Sequence, residues 1–191
     1  AYIYNLSDGS LAYTLNNPNA YGTSVSDDFG HSVAISSNYA IVGARYEDDA
    51  GGNESGKAYV YDLSDGSLAY TLDNPNADTT TVSDQFGNSV AMSDTHIIVG
   101  APTEDDASGL NSGKAYIFSV STGDLVHTLD NPNAYGTSSG DWFGFSVAIS
   151  SNYAIVGAER EDDAGGFNSG KAYIYNLSDG SLAYTLDNPN A

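Results

Sequence analysis

The chain has 191 residues, no cysteine, and 25 acidic against 5 basic side chains, a formal charge of −20. That balance argues against nucleic acid as a partner, since phosphate binding needs a basic face, and it disfavours an anionic membrane surface. Without cysteine there are no disulfides, thiolate metal sites or cysteine nucleophiles, and no apolar run approaches the ~18 residues of a membrane helix, so no membrane insertion is expected. The acidity suits solubility in a salty medium, cation binding, or both. The chain begins at Ala1 with no leader pattern, which predicts a processed product or a segment of something longer.

Residues 1–20 and 172–191 are the same sequence except at Asn16 and Asp187. Between them the chain is periodic. Phe29, Phe86 and Phe143 each precede a glycine and stand 57 residues apart, with no insertion or deletion between copies. The division is therefore a partial repeat at 1–20, which holds the last two strands of a unit, and full repeats at 21–77, 78–134 and 135–191.

Each repeat reads as four short strands. Ser32 to Ser36 alternates small and branched residues, as in a strand packed closely on both faces. A tight turn at Ser37-Asn38 leads to Tyr39–Ala44, whose continuous apolar core predicts burial on both faces. A long acidic loop follows from Arg45 to Gly56. The third strand, Lys57 to Leu63, puts Tyr59, Tyr61 and Leu63 on one face and Ala58 and Val60 on the other. Asp65-Gly66 supplies a hairpin turn, because glycine tolerates positive φ. The fourth strand, Leu68 to Leu72, stops before Pro75, which cannot donate to a ladder. No helical period occurs. The expected fold is all-β: tandem four-stranded antiparallel blades that bury both faces only by stacking on neighbours. The 15 tyrosines fit that packing, with rings between sheets and hydroxyls at a polar rim.

The run Phe29-Gly30-His31-Ser32-Val33-Ala34, then Ile41-Val42-Gly43-Ala44, then Ser55-Gly56-Lys57-Ala58-Tyr59 recurs in phase three times and resembles the FG-GAP repeats of integrin-like β-propellers, in the bacterial and archaeal form with a short first turn. The resemblance covers essentially the whole chain. It implies propeller-type blades in which Gly30 and Gly43 allow close backbone approach and Phe29 plugs the space between blades. Two departures matter. The calcium loop that integrin-type repeats carry between their first two strands is replaced here by Ser36-Ser37-Asn38-Tyr39. The segment also has too few blades for a closed ring, where integrin-like propellers have seven.

The acidic loop is the candidate cation site. Oxygen ligands are expected from Glu47, Asp48, Asp49 and Ser55, from Glu104, Asp105, Asp106 and Ser112, and from Glu161, Asp162, Asp163 and Ser169. Gly52 stands where calcium loops turn sharply, but the fifth position lacks its carboxylate, being Gly51, Ser108 or Gly165. Calcium is the only cofactor suggested. A solvated loop with Lys57, Lys114 and Lys171 offsetting its charge is the plain alternative, and Asp48 or Asp49 bonding local amides is an intermediate one. Asp27, Asp84 and Asp141, two residues before each Phe-Gly, are read as turn caps or as distal ligands.

His31, His96 and His127 occupy different places in the repeat, so zinc is not expected. No Gly-x-Ser-x-Gly elbow is present, and the acids repeat too evenly to single out a catalytic pair, so no enzyme is expected. Asn5-Leu6-Ser7, Asn53-Glu54-Ser55 and Asn176-Leu177-Ser178 match glycosylation acceptors, as chance allows in so Asn-rich a chain. The repeats diverge most at Asp28, Gln85 and Trp142, at Tyr46, Thr103 and Arg160, and at Asn53, Leu110 and Phe167, with Trp142 and Phe167 the best contact aromatics. Near-identical repeats without catalytic asymmetry point to an extracellular structural or adhesive protein that assembles with itself or forms part of a longer array or filament. The other reading is a cell-surface propeller module binding protein or glycan.

Overall fold

The computed structural model describes residues 1–18, 26–48, 54–76, 83–105, 109–132, 139–162 and 166–189. Every regular element among them is a strand. A hairpin of β1 (Tyr2–Tyr4) and β2 (Leu11–Thr14) comes first. Blade 1 is β3 (Ser32–Ile35), β4 (Tyr39–Ala44), β5 (Lys57–Asp62) and β6 (Leu68–Asp73). Blade 2 is β7 (Ser89–Met92), β8 (His96–Ala101), β9 (Lys114–Ser119) and β10 (Leu125–Asp130). Blade 3 is β11 (Phe143–Ile149), β12 (Tyr153–Ala158), β13 (Lys171–Asn176) and β14 (Leu182–Asp187). In every blade the strands lie in sequence order and pair antiparallel, and none of the sheets closes. The second strand coincides with its expected span, and the other ends move by a residue. β11 is longer because the third Phe-Gly joins its ladder.

Register explains why one sequence serves every blade. Val42 stands opposite Val33 and Tyr59, and Ile41 opposite Ala34 and Val60. The period of two then divides each strand between two neighbours. Ile97 belongs to the core between blades 1 and 2, and its chain neighbour Ile98 to the core between blades 2 and 3. A third core lies between the hairpin and blade 1, around Leu15, Val42 and Tyr61. Each of the three cores thus lies at a junction, and a fully buried Ile there contributes about 1.5–3 kcal/mol. First strands are less enclosed than expected where a neighbour is lacking: Val90 is 9% exposed, but Val33 is 60% exposed.

The Phe-Gly and Gly-Ala pairs build these junctions. Phe86 is fully buried, its ring 5.8 Å from Tyr116 and 6.0 Å from Phe118. Its amide donates to Ser55 O of the preceding blade at 3.0 Å. Gly87 O then accepts from the Ser32 hydroxyl at 2.7 Å. A Cβ on Gly43 would lie 2.1 Å from that same carbonyl, so only glycine lets the blades meet there. One junction on, Ser89 donates to Gly144 O at 2.7 Å, and a Cβ on Gly100 would lie 2.0 Å from it. Tyrosine hydroxyls complete the joint: Tyr70 donates to Val120 O at 2.6 Å, and Tyr61 to Asn16 O at 2.8 Å.

Candidate functional site

The acidic loop leaves the second strand by a turn that Glu47 N closes onto Ala44 O. That turn points the Glu47 side chain inward. Glu47, Glu104 and Glu161 are all buried, in a chain whose other acids are mostly exposed. Glu47 Oε1 accepts the Tyr59 hydroxyl at 2.5 Å, Glu104 Oε1 that of Tyr116 at 2.6 Å, and Glu161 Oε1 that of Tyr173. Asn76, from the end of blade 1, also donates to Glu104 Oε1 at 2.7 Å. Among the described residues, the second oxygen of each glutamate has no hydrogen-bond partner.

Burial sets the electrostatics. Desolvation pushes Glu104 up to about 7, helped by the charge of Asp84 and opposed by the bonds from Tyr116 and Asn76. Glu47 and Glu161 are raised by the same cause. Asp141 rises to about 6 through desolvation and then the charge of Glu161. Lys171 stands 3.4 Å from Glu161 Oε1, both side chains buried. Lys114 reaches Asp130 on the fourth strand at 2.5 Å, and Lys57 likewise reaches Asp73.

The other loop positions face elsewhere. Asp48 accepts the Glu54 amide at 2.8 Å, Asp105 the Asn111 amide at 2.7 Å and Asp162 the Asn168 amide at 2.7 Å, so these acids close the loop, the intermediate alternative above. Ser55 is buried, and the Ser112 and Ser169 hydroxyls donate to Glu104 O and Glu161 O. Asp49, Asp106 and Asp163 lie outside the described residues. Among the described residues the structure does not bring the expected ligands into one shell: no three His, Cys, Asp or Glu side chains stand together as a metal site. Asp27, Asp84 and Asp141 are buried and accept the side-chain amides of Asn17, Asn74 and Asn131 at 3.0, 3.1 and 2.9 Å. They tie the end of one blade to the entry of the next.

Sequence reasoning did not single out the tyrosine and asparagine partners. Their signal was spacing: Tyr follows the loop Glu by 12 residues, and Asp follows Asn by 10, in every copy. It also missed Phe145. On the rim of blade 3, Trp142 stacks on Phe145 at 5.8 Å with planes 25° apart, and the Arg160 guanidinium lies 3.4 Å from the Trp142 ring centroid. Phe167 is almost fully exposed, as expected of a contact aromatic.

A model of the FG-GAP repeat matches residues 19–61, 77–118 and 133–175. No curated protein matches the sequence. Among solved structures, the computationally designed Ika4 protein has a similar fold, with TM-score 0.52 and 16% identity, over 88% of this chain and 75% of that one.

Proposed function

The chain belongs to the FG-GAP repeat family, and from that premise we propose that it is a structural or adhesive repeat protein acting outside the cell or at its surface, as one stretch of a longer array or filament. One observation carries the reading: the blade-to-blade joint is made twice from the same atoms, Ser32 to Gly87 O and Ser89 to Gly144 O, both at 2.7 Å. A unit that joins its neighbours identically at each step extends without limit unless its ends meet. The partner it implies is another blade, not a small substrate, and no catalytic role is assigned. Negative-stain electron microscopy over a range of concentrations tests this. Stacked or extended particles support it, and uniform particles of one chain's mass overturn it.

A second reading, a surface module that binds protein or glycan, rests on the Trp142–Phe145–Arg160 platform, which neither of the other two blades repeats. Glycan-array binding lost in Trp142→Ala supports it, and no binding in either protein overturns it. Calcium dependence belongs to this reading. Its support is the loop glutamates, each with an oxygen that no donor among the described residues reaches. No heat of binding and an unchanged melting temperature at millimolar calcium would exclude it.

A further inference from the structure

A lysine opens the third strand of every blade and an aspartate closes the fourth. The ladder sets them opposite each other, Lys57 with Asp73, Lys114 with Asp130 and Lys171 with Asp187, so their side chains share a face. The buried loop glutamate stands ten residues before the lysine in each copy. Lys114 Nζ lies 2.5 Å from Asp130 Oδ1, and Lys57 Nζ reaches Asp73 Oδ1 in the same way. Lys171 Nζ lies between two carboxyls, 3.4 Å from Glu161 Oε1 and 3.8 Å from Asp187 Oδ1. The charges of Lys57 and Lys114 likewise act on Glu47 and Glu104.

An ordinary surface ion pair needs none of this. Such pairs contribute little and leave a lysine mobile in water. Here the lysine side chains are only 11%, 13% and 2% exposed, while the aspartates stand at the surface. Behind each amine is a second, buried carboxyl, and among the described residues one of its oxygens accepts no hydrogen bond. An amine, a carboxyl carbon and a buried group able to carry protons between them are the components of an amide condensation. A near-attack arrangement needs the reacting atoms about 3–3.5 Å apart. A carboxyl oxygen 2.5 Å from Nζ sets its carbon, one bond further, close to that range.

We propose that in each blade the lysine Nζ and the aspartate Cγ condense to an intramolecular isopeptide bond, with the loop glutamate as proton carrier. The glutamate takes a proton from the ammonium, and the free amine attacks Cγ. The Nζ–Cγ bond forms and one Cγ–O bond breaks. The two protons that leave nitrogen are relayed to the departing oxygen, which goes as water. One ammonium and one carboxylate give one neutral amide and one water, and the glutamate ends as it began. Folding supplies the driving force, because groups fixed in this way react at effective molarities on the order of 10⁵–10⁸ M. The bond closes each hairpin of third and fourth strands at its open end, so tension along the chain bypasses the hairpin. In a chain without cysteine no disulfide can do this. The bond is internal to a blade and is independent of whether the chain assembles.

Intact-mass measurement of the full chain, folded and then denatured, tests the bond. The expected mass falls short of the sequence by one water per bond, and digestion should yield a branched peptide joining Lys114 to Asp130. Lys114→Arg keeps a cation beside Asp130 and should regain one water while blades 1 and 3 stay cross-linked. Asp130→Asn should lose one ammonia in place of one water. Glu104→Gln should slow the blade 2 bond by on the order of 100-fold or more in a refolding time course, the contribution typical of a proton carrier. A mass equal to that of the sequence overturns the proposal. So does a water loss that survives Lys114→Arg unchanged, or one that maps to an Asp-Gly turn such as Asp65-Gly66, where a cyclic imide forms instead. A bond that forms at full rate in Glu104→Gln overturns the role given to the glutamate.

Discussion

The junction between blades 2 and 3 and the outward face of blade 3 are built from the same residues of the repeat and behave differently. At the junction, a Cβ on Gly100 would strike the Gly144 carbonyl at 2.0 Å, and one on Gly113 the Phe143 carbonyl at 2.1 Å. On the outward face, a Cβ on Gly157 would meet only the Ser146 hydroxyl of its own blade within 3.4 Å, at 2.4 Å. Neither Gly100 nor Gly157 adopts positive φ. The Gly-Ala glycine is therefore demanded by the neighbouring blade and not by its own backbone. A motif that looks like a property of one repeat is a property of the pair.

The largest test of that contrast is at the glycine. Gly100→Ala should cost about 3 kcal/mol or more, because the carbonyl it strikes is backbone and cannot rotate away. Gly157→Ala should cost no more than about 1 kcal/mol, since the Ser146 hydroxyl can turn aside. Urea denaturation of both decides it, and equal costs would break the comparison.

The buried carboxylates sharpen it next. The folded state raises Glu104 from 4.5 to about 7, so the folded chain holds a proton that the unfolded chain gives up in that window. Stability is greatest near the lower end and falls as pH rises from about 4.5 to about 7, by on the order of 1–3 kcal/mol. Asp65 and Asp94, lowered by their bonds to Ser67 and Ser37, work in the opposite sense at more acid pH. Glu104→Gln keeps an acceptor for Tyr116 and Asn76 and removes the charge that Asp84 opposes. Thermal melts at pH 5 and pH 8 should differ less in Glu104→Gln than in the parent, and a pH dependence that survives intact would place its origin elsewhere.

The smallest effect lies at the serines. Ser89→Ala removes the bond to Gly144 O and should cost about 1 kcal/mol. Ser146→Ala, on the face without a neighbour, should change stability by only a few tenths of that. Denaturant midpoints of the two, compared at low concentration, read this directly.

The blades were legible because two periods agree. The 57-residue step sets the unit, and the strand period of two assigns Tyr59 and Tyr61 to one junction and Val60 to the other, as found. The fate of the acidic loop was not legible in the same way. Runs such as Glu47-Asp48-Asp49 are usually read as solvated or as ligands, because burying a carboxylate is costly without partners. The partners lay 12 residues on, at Tyr59, on a strand already assigned to the core. Asp48 remained outside to close the loop, so adjacent acids took opposite roles. The Trp142 platform needed Arg160, from beyond β12, brought over the ring that Phe145 stacks on, which no linear spacing announces.

Among the described residues each core is shared by two neighbouring units, blade with blade or hairpin with blade, and none is private to one. An added copy of the repeat therefore arrives with its fitted counterpart already in the chain: its Phe amide finds the same serine carbonyl, and its Phe-Gly carbonyl the same serine hydroxyl. Gene duplication can lengthen such a protein without any compensating substitution, and the near-identity of residues 1–20 and 172–191 is the pattern that kind of growth leaves behind.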